Sequence, residues 1–114
     1  MKVSDMDSLE GFSCLQDEYE DVEVADGYTS DLLSDVMANA AEGCVLITIQ
    51  AHKNTVAVAS LVGVVAIVIC NNRPAPEDML IAAGKEGIAV FRTSANQFLT
   101  SALIAQHLHH CPAR

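Results

Sequence analysis

The sequence predicts an α/β fold: a layered, mainly parallel sheet of about four to five strands flanked by helices, in one domain. Two observations carry this. The second half of the chain repeats a β-branched apolar run, a polar break and a helical segment, with runs at residues 44–50, 64–70 and 88–92. Successive strand and helix units pack as crossovers, so their strands run parallel and the polar breaks after them share one edge. The composition agrees, because 51% apolar residues with only 4% aromatic and no Trp make a core of Val, Ile, Leu and Ala suited to thin layers. At 114 residues the chain makes a single domain, burying roughly two-thirds of its unfolded surface.

Taken in order, residues 4–10 contain Ser4 and Asp7 with an acidic first turn, which predicts a short helix ended by Gly11. Residues 12–16 and 22–25 are short strand candidates, as a hairpin or an edge pairing, separated by the acidic stretch 17–21. Gly27 suits a turn, and Thr29 or Ser30 is placed to cap a helix over 30–41 that Gly43 stops. Leu32, Leu33, Val36, Met37 and Ala40 would form its core face. Asn54 caps a second helix to Leu61, whose small and apolar residues predict burial on most sides. Pro76 opens a third, with Glu77 and Asp78 in its first turn, Met79, Leu80 and Ala83 inward, and Gly87 at its end. The last helix, 96–107, would cover the sheet with Phe98, Leu99, Ala102, Leu103 and Leu108.

Charge divides the chain into an acidic segment, 1–26, and a βα core, 27–110. Residues 1–42 hold twelve acidic side chains against Lys2, a net −11, while 43–114 hold three against five, a net +2. An acidic chain of net charge −9 does not suit nucleic-acid binding, which needs a basic surface. The acidic third reads as a solvated face or as a docking surface for a partner. The uncharged stretch 55–70 is shorter than the roughly 20 residues a spanning helix needs and contains Gly63, so no membrane role is expected. Cys14, Cys44, Cys70 and Cys111 form no C-x-x-C pair, which predicts a reduced, cytoplasmic protein.

The stretch 27–105 resembles the DRTGG domain family, particularly its small stand-alone members. The resemblance rests on Gly27-Tyr-Thr-Ser-Asp-Leu-Leu-Ser-Asp-Val-Met-Ala-Asn39, on Ile47-Thr-Ile-Gln-Ala-His-Lys-Asn-Thr-Val-Ala-Val-Ala59 and on Glu86-Gly-Ile-Ala-Val-Phe91. Such domains occur beside CBS pairs, inside phosphotransacetylases and, in similar form, at the N-terminus of HPr kinases. The resemblance implies a regulatory or oligomerising module without catalysis, and an association with hydrogenase or electron-bifurcating components. The motif that names the family falls on His52-Lys53 and on Cys70-Asn71-Asn72, so imidazole replaces a carboxylate and Asn replaces two glycines.

At the strand-end edge the sequence gathers His52, Lys53, Asn54, Asn71, Asn72, Arg73, Thr93 and Ser94 as candidate ligand-binding residues. Helix N-termini with Lys53 and Arg73 favour an anion such as a phosphate, nucleotide or carboxylate, although caps and loop polars occur in every α/β domain. His52 as a general base would need Asp31 or Asp35 beside it. His107 and Cys111 lie one helical turn apart, a spacing that would suit zinc, but Pro112 follows directly; no metal and no cofactor are expected. No P-loop, G-x-G-x-x-G or G-x-S-x-G is present, and no catalytic residue is assigned. The sequence thus predicts a homodimeric regulatory module for a small anionic or nucleotide ligand. The alternative is an interaction subunit docking a redox or metabolic enzyme through its acidic third. A phosphotransfer enzyme using His52 ranks below both.

Overall fold

A computed structural model describes residues 1–108. Five strands form one sheet in the order β1-β5-β4-β3-β2. They are β1 Phe12–Gln16, β2 Asp26–Thr29, β3 Cys44–Thr48, β4 Ala66–Ile69 and β5 Ala89–Thr93. The pairs β2–β3, β3–β4 and β4–β5 are parallel, and β1 adds antiparallel to β5. The helices are α1 Leu33–Asn39, α2 Lys53–Val62, α3 Glu77–Glu86 and α4 Gln97–His107, with a 3-10 helix at Val3–Ser8. The threefold repeat read from the sequence is β3–α2, β4–α3 and β5–α4.

Central strands β3 and β4 are buried along their whole length, as parallel strands covered on both faces must be. Alternation then sends Cys44, Leu46, Ile67, Ile69 and Val90 to one face, against Val36, Val56, Ala59, Met79 and Ala83 of α1, α2 and α3. Val45, Ile47, Val68, Cys70 and Phe91 point to the other, where Val3, Met6 and Ile104 cover them. The acidic N-terminal segment therefore belongs to the core through its 3-10 helix and through β1.

Several local expectations are corrected. Residues 22–25 form no strand and only Glu23 bridges Lys2; the strand lies at Asp26–Thr29, in register with Cys44–Ile47. Gly27 lies within this strand rather than in a turn, and a Cβ on it would meet Val45 Cγ1 at 3.7 Å and Ile104 Cγ2 at 3.9 Å, ordinary packing distances. Helix α1 begins at Leu33 rather than 30, because β2 and its exit loop consume the predicted first turn. Of its expected core face only Val36 is buried, and Leu32 and Met37 are 64% and 50% exposed.

Helix α2 lies on the surface, with Thr55, Val56 and Ala59 inward and Leu61 70% exposed. In α4 the inward residues are Thr100 and Ile104, with Leu108 packed beside them, while Phe98 and Leu99 are 78% and 56% exposed. Asn96, whose side chain accepts from Leu99 N, and Gln97, which reaches Asp31, fix the rotation of this helix against the hydrophobic stripe.

Candidate functional site

Parallel strands β2 to β5 all end at one rim of the sheet. Three crossovers, α1 to α3, stay on one face, but α4 leaves β5 for the other. Adjacent strands β4 and β5 therefore send their following helices in opposite directions, the arrangement at which open α/β sheets form a ligand crevice.

The loop after β4 enters this region through a tight turn. Asn71 and Asn72 both take positive φ, 59° and 51°, and Arg73 N donates to Cys70 O at 3.3 Å. Two left-handed central residues closed by such a bond favour Asn or Gly, because a short polar side chain tolerates this conformation. The Asn pair thus supplies the left-handed backbone that the turn requires. Their N–H groups are already bonded across the crevice, Asn71 to Ala95 O at 2.9 Å and Asn72 to Thr93 O at 2.8 Å. An anion here would meet side chains, not backbone amides. Arg73 is exposed, and its guanidinium has no ion-pair partner among the described residues. Thr93 is buried and accepts from Ala95 N, while Ser94 is exposed.

His52, Lys53 and Asn54 sit one strand further along. His52 caps α2, its Nδ1 accepting from Asn54 N at 3.0 Å, so the neutral ring carries its proton on Nε2, away from the helix. Lys53 and Asn54 lie at the top of α2, lining a groove of about 270 Å³ toward α3 with Val56, Ala57 and Ala82. The fold thus gathers Asn71, Asn72, Arg73, Thr93 and Ser94 around the β4–β5 divergence and sets His52, Lys53 and Asn54 beside it.

Asp31, which the helix expected over 30–41 would have carried in its first turn, is instead the hub of the rim. Its Oδ1 accepts from Thr48 Oγ1 at 2.9 Å, Ile49 N at 2.8 Å and Gln97 Nε2 at 2.9 Å. The end of β3 therefore already holds a carboxylate supplied by the chain. Asp35 turns to the Tyr28 hydroxyl, at 2.9 Å from each carboxylate oxygen, and to Asn39. Both aspartates considered as partners for His52 have these other contacts, and neither is bonded to it. Only the position of Asp31 just beyond β2 could have signalled the hub, and that strand was itself hidden.

The buried thiols of Cys44 and Cys70 are poorly set for chemistry. Burial pushes the Cys44 thiol up to about 11, and burial raises Cys70 despite an opposing contribution from the Thr100 hydroxyl. Among the described residues no group of three His, Cys, Asp or Glu is arranged for a metal ion. His107 Nδ1 lies 3.0 Å from Leu103 O, and Cys111 falls outside the described residues. No described helix is long and apolar enough to cross a membrane.

The sheet, its rim and the diverging crossovers define an open α/β domain with an antiparallel strand added at one edge. No protein-family model and no curated protein matches the sequence. Among solved structures, the chain is similar to the CBS and DRTGG domains of the regulatory region of Clostridium perfringens pyrophosphatase, in complex with its activator diadenosine tetraphosphate. The TM-score is 0.72 at 14% identity, over 91% of this chain and 46% of that one. The present chain thus spans about half the length of that structure, and the likeness is one of fold. The fold is DRTGG-like.

Proposed function

We propose that this chain is a non-catalytic regulatory module that works as a homodimer and binds a small anionic ligand, a nucleotide or phosphorylated metabolite, at the C-terminal rim of its sheet. The observation that carries the reading is the divergence of α3 and α4 from the adjacent strands β4 and β5. Arg73 and Lys53 would supply the positive charge, and Asn54, Asn71, Asn72, Ser94 and His52 Nε2–H the hydrogen bonds, with Thr93 at the floor. The fold likeness supports it, since the pyrophosphatase region is regulatory and was solved with a nucleotide activator. Exposed Leu32, Met37 and Leu61 on the α1–α2 side support self-association.

Thermal unfolding in the presence of nucleotides and phosphorylated metabolites tests the ligand. At millimolar concentrations at least one compound should raise the Tm by about 4 °C or more, and Arg73→Ala or Lys53→Ala should abolish the rise. A wild-type Tm indifferent to every compound would remove this reading.

A further inference from the structure

A second surface lies on the opposite flank of α3, beside the edge strand β1. Glu77, Leu80, Ile81, Gly84 and Lys85 recur there at helical spacing and, with Leu15, Asp17 and Glu18, line a groove of about 480 Å³. Its floor is apolar: Leu15 and Leu80 are half-buried, and Ile81 is 52% exposed. Its rim is predominantly acidic, Asp17, Glu18 and Glu77 standing against the single Lys85, and none of these carboxylates has an ion-pair partner among the described residues.

The groove is held in shape without an occupant. Gln16, buried at the end of β1, donates from Nε2 to Ile88 O at 2.8 Å and accepts from Glu18 N at 2.7 Å, which fixes the Asp17–Glu18 turn. Gly84 helps to seat this side chain: a Cβ there would lie 3.4 Å from Gln16 Oε1 and 3.7 Å from Gln16 Cδ, so its absence makes room for Gln16 against α3. Strand addition to β1 is disfavoured, because the register slips between Cys14 and Gln16 and the edge is bulged there.

We propose that this groove docks a basic amphipathic helix of a partner protein. Its apolar face would lie on Leu15, Leu80 and Ile81 across Gly84, with lysine or arginine side chains reaching Asp17, Glu18 and Glu77. Charge complementarity selects that occupant over a second copy. The six basic residues of this chain, Lys2, Lys53, Arg73, Lys85, Arg92 and Arg114, are scattered, and no described helix carries two of them.

The test is an NMR titration of the whole chain with a synthetic amphipathic helix of leucine and lysine, against its leucine–glutamate counterpart. The lysine peptide should shift the amides of Leu15, Leu80, Ile81 and Gly84, and the glutamate peptide should not. Its affinity should fall about tenfold with salt raised to about 0.5 M, and similarly in Ile81→Ser and in Asp17→Lys/Glu77→Lys, while Arg73→Ala binds as wild type. All these side chains are solvent-accessible, and circular dichroism verifies that each variant is folded. Shifts centred elsewhere, or an affinity unchanged from wild type in either groove variant, would overturn the proposal. A dimer in sedimentation that Ile81→Ser dissolves would also overturn it, by giving the groove to a second copy.

Discussion

Gln97, in the first turn of α4, donates from Nε2 to Asp31 Oδ1 at 2.9 Å across 66 residues of sequence. The same oxygen takes Ile49 N and Thr48 Oγ1, so one carboxylate ties the exit of β2, the end of β3 and the start of α4 together. It anchors the helix that diverges from the other three, and so the rim depends on it.

Removing that carboxylate strands three donors at once. Asp31→Ala should cost about 2–3 kcal/mol, as expected for hydrogen bonds to a charged group in a half-buried setting. Asp31→Asn, which keeps an accepting oxygen, should cost about 1 kcal/mol, and Gln97→Ala no more than that. Urea denaturation measures each, and a double-mutant cycle between Asp31 and Gln97 gives the coupling. Additive losses would mean that Gln97 does not share the hub.

The turn after β4 makes a sharper prediction, because both of its central residues are left-handed. Asn71→Gly and Asn72→Gly should leave stability unchanged or slightly raised. Asn71→Ala and Asn72→Ala should each lose about 1 kcal/mol, since alanine has neither the freedom of glycine nor a polar group to offset the crowding. Equal denaturation midpoints for the Gly and Ala variants would show that the left-handed geometry is not maintained in solution.

Much of this architecture was legible because residues 44–50, 64–70 and 88–92 are β-branched runs bounded by strong caps and stops. Burial on both faces of a parallel sheet writes itself into such runs. Strand β2 was not legible: Asp26-Gly-Tyr-Thr29 lacks alternation, and it is a strand because β3 offers it a partner edge. Misreading Gly27 as a turn lengthened α1 and hid Asp31, whose role depends on contacts with Thr48 and Gln97. The rim itself followed from the repeat. Its internal bonding did not, because hydrogen bonds such as Asn72 N to Thr93 O join loops whose sequences carry no mark of each other.

Two helix-ending glycines separate conformational cost from crowding. Gly63 and Gly87 both stop their helices at positive φ, 84° and 69°. A Cβ at Gly63 would lie 2.8 Å from Glu42 Cγ and 3.4 Å from its Cα, whereas nothing stands within 4 Å at Gly87. Gly87→Ala should cost about 1 kcal/mol, the left-handed penalty alone. Gly63→Ala should cost more, about 2 kcal/mol, because the segment before β3 must also shift. Urea denaturation of the two variants would contradict this if Gly87→Ala were the more damaging.

Acid sensitivity should trace in part to Asp35. Hydrogen bonds from Ser30 first, then from Asn39 and Tyr28, hold its carboxyl below the ordinary value of 3.8, against a smaller opposing effect of burial. A carboxylate with a lowered folded-state pKa contributes stability that is present above 3.8 and lost as pH falls through the folded-state value. The partner phenol behaves inversely. Tyr28 is raised above 10.0, chiefly by its hydrogen bond to Asp35, so its share is present below 10.0 and lost as pH climbs past the raised value. Ser30→Ala and Tyr28→Phe should therefore lower the urea midpoint at pH 7 and flatten its decline toward pH 3, where Asp35 is protonated in the unfolded chain. Other acids, Asp21 with its Ser4 contacts among them, contribute equally to wild type and variants, so the difference between the curves isolates Asp35. Parallel curves across the acid range would show that the Ser30 and Tyr28 hydrogen bonds do not hold this carboxylate in solution.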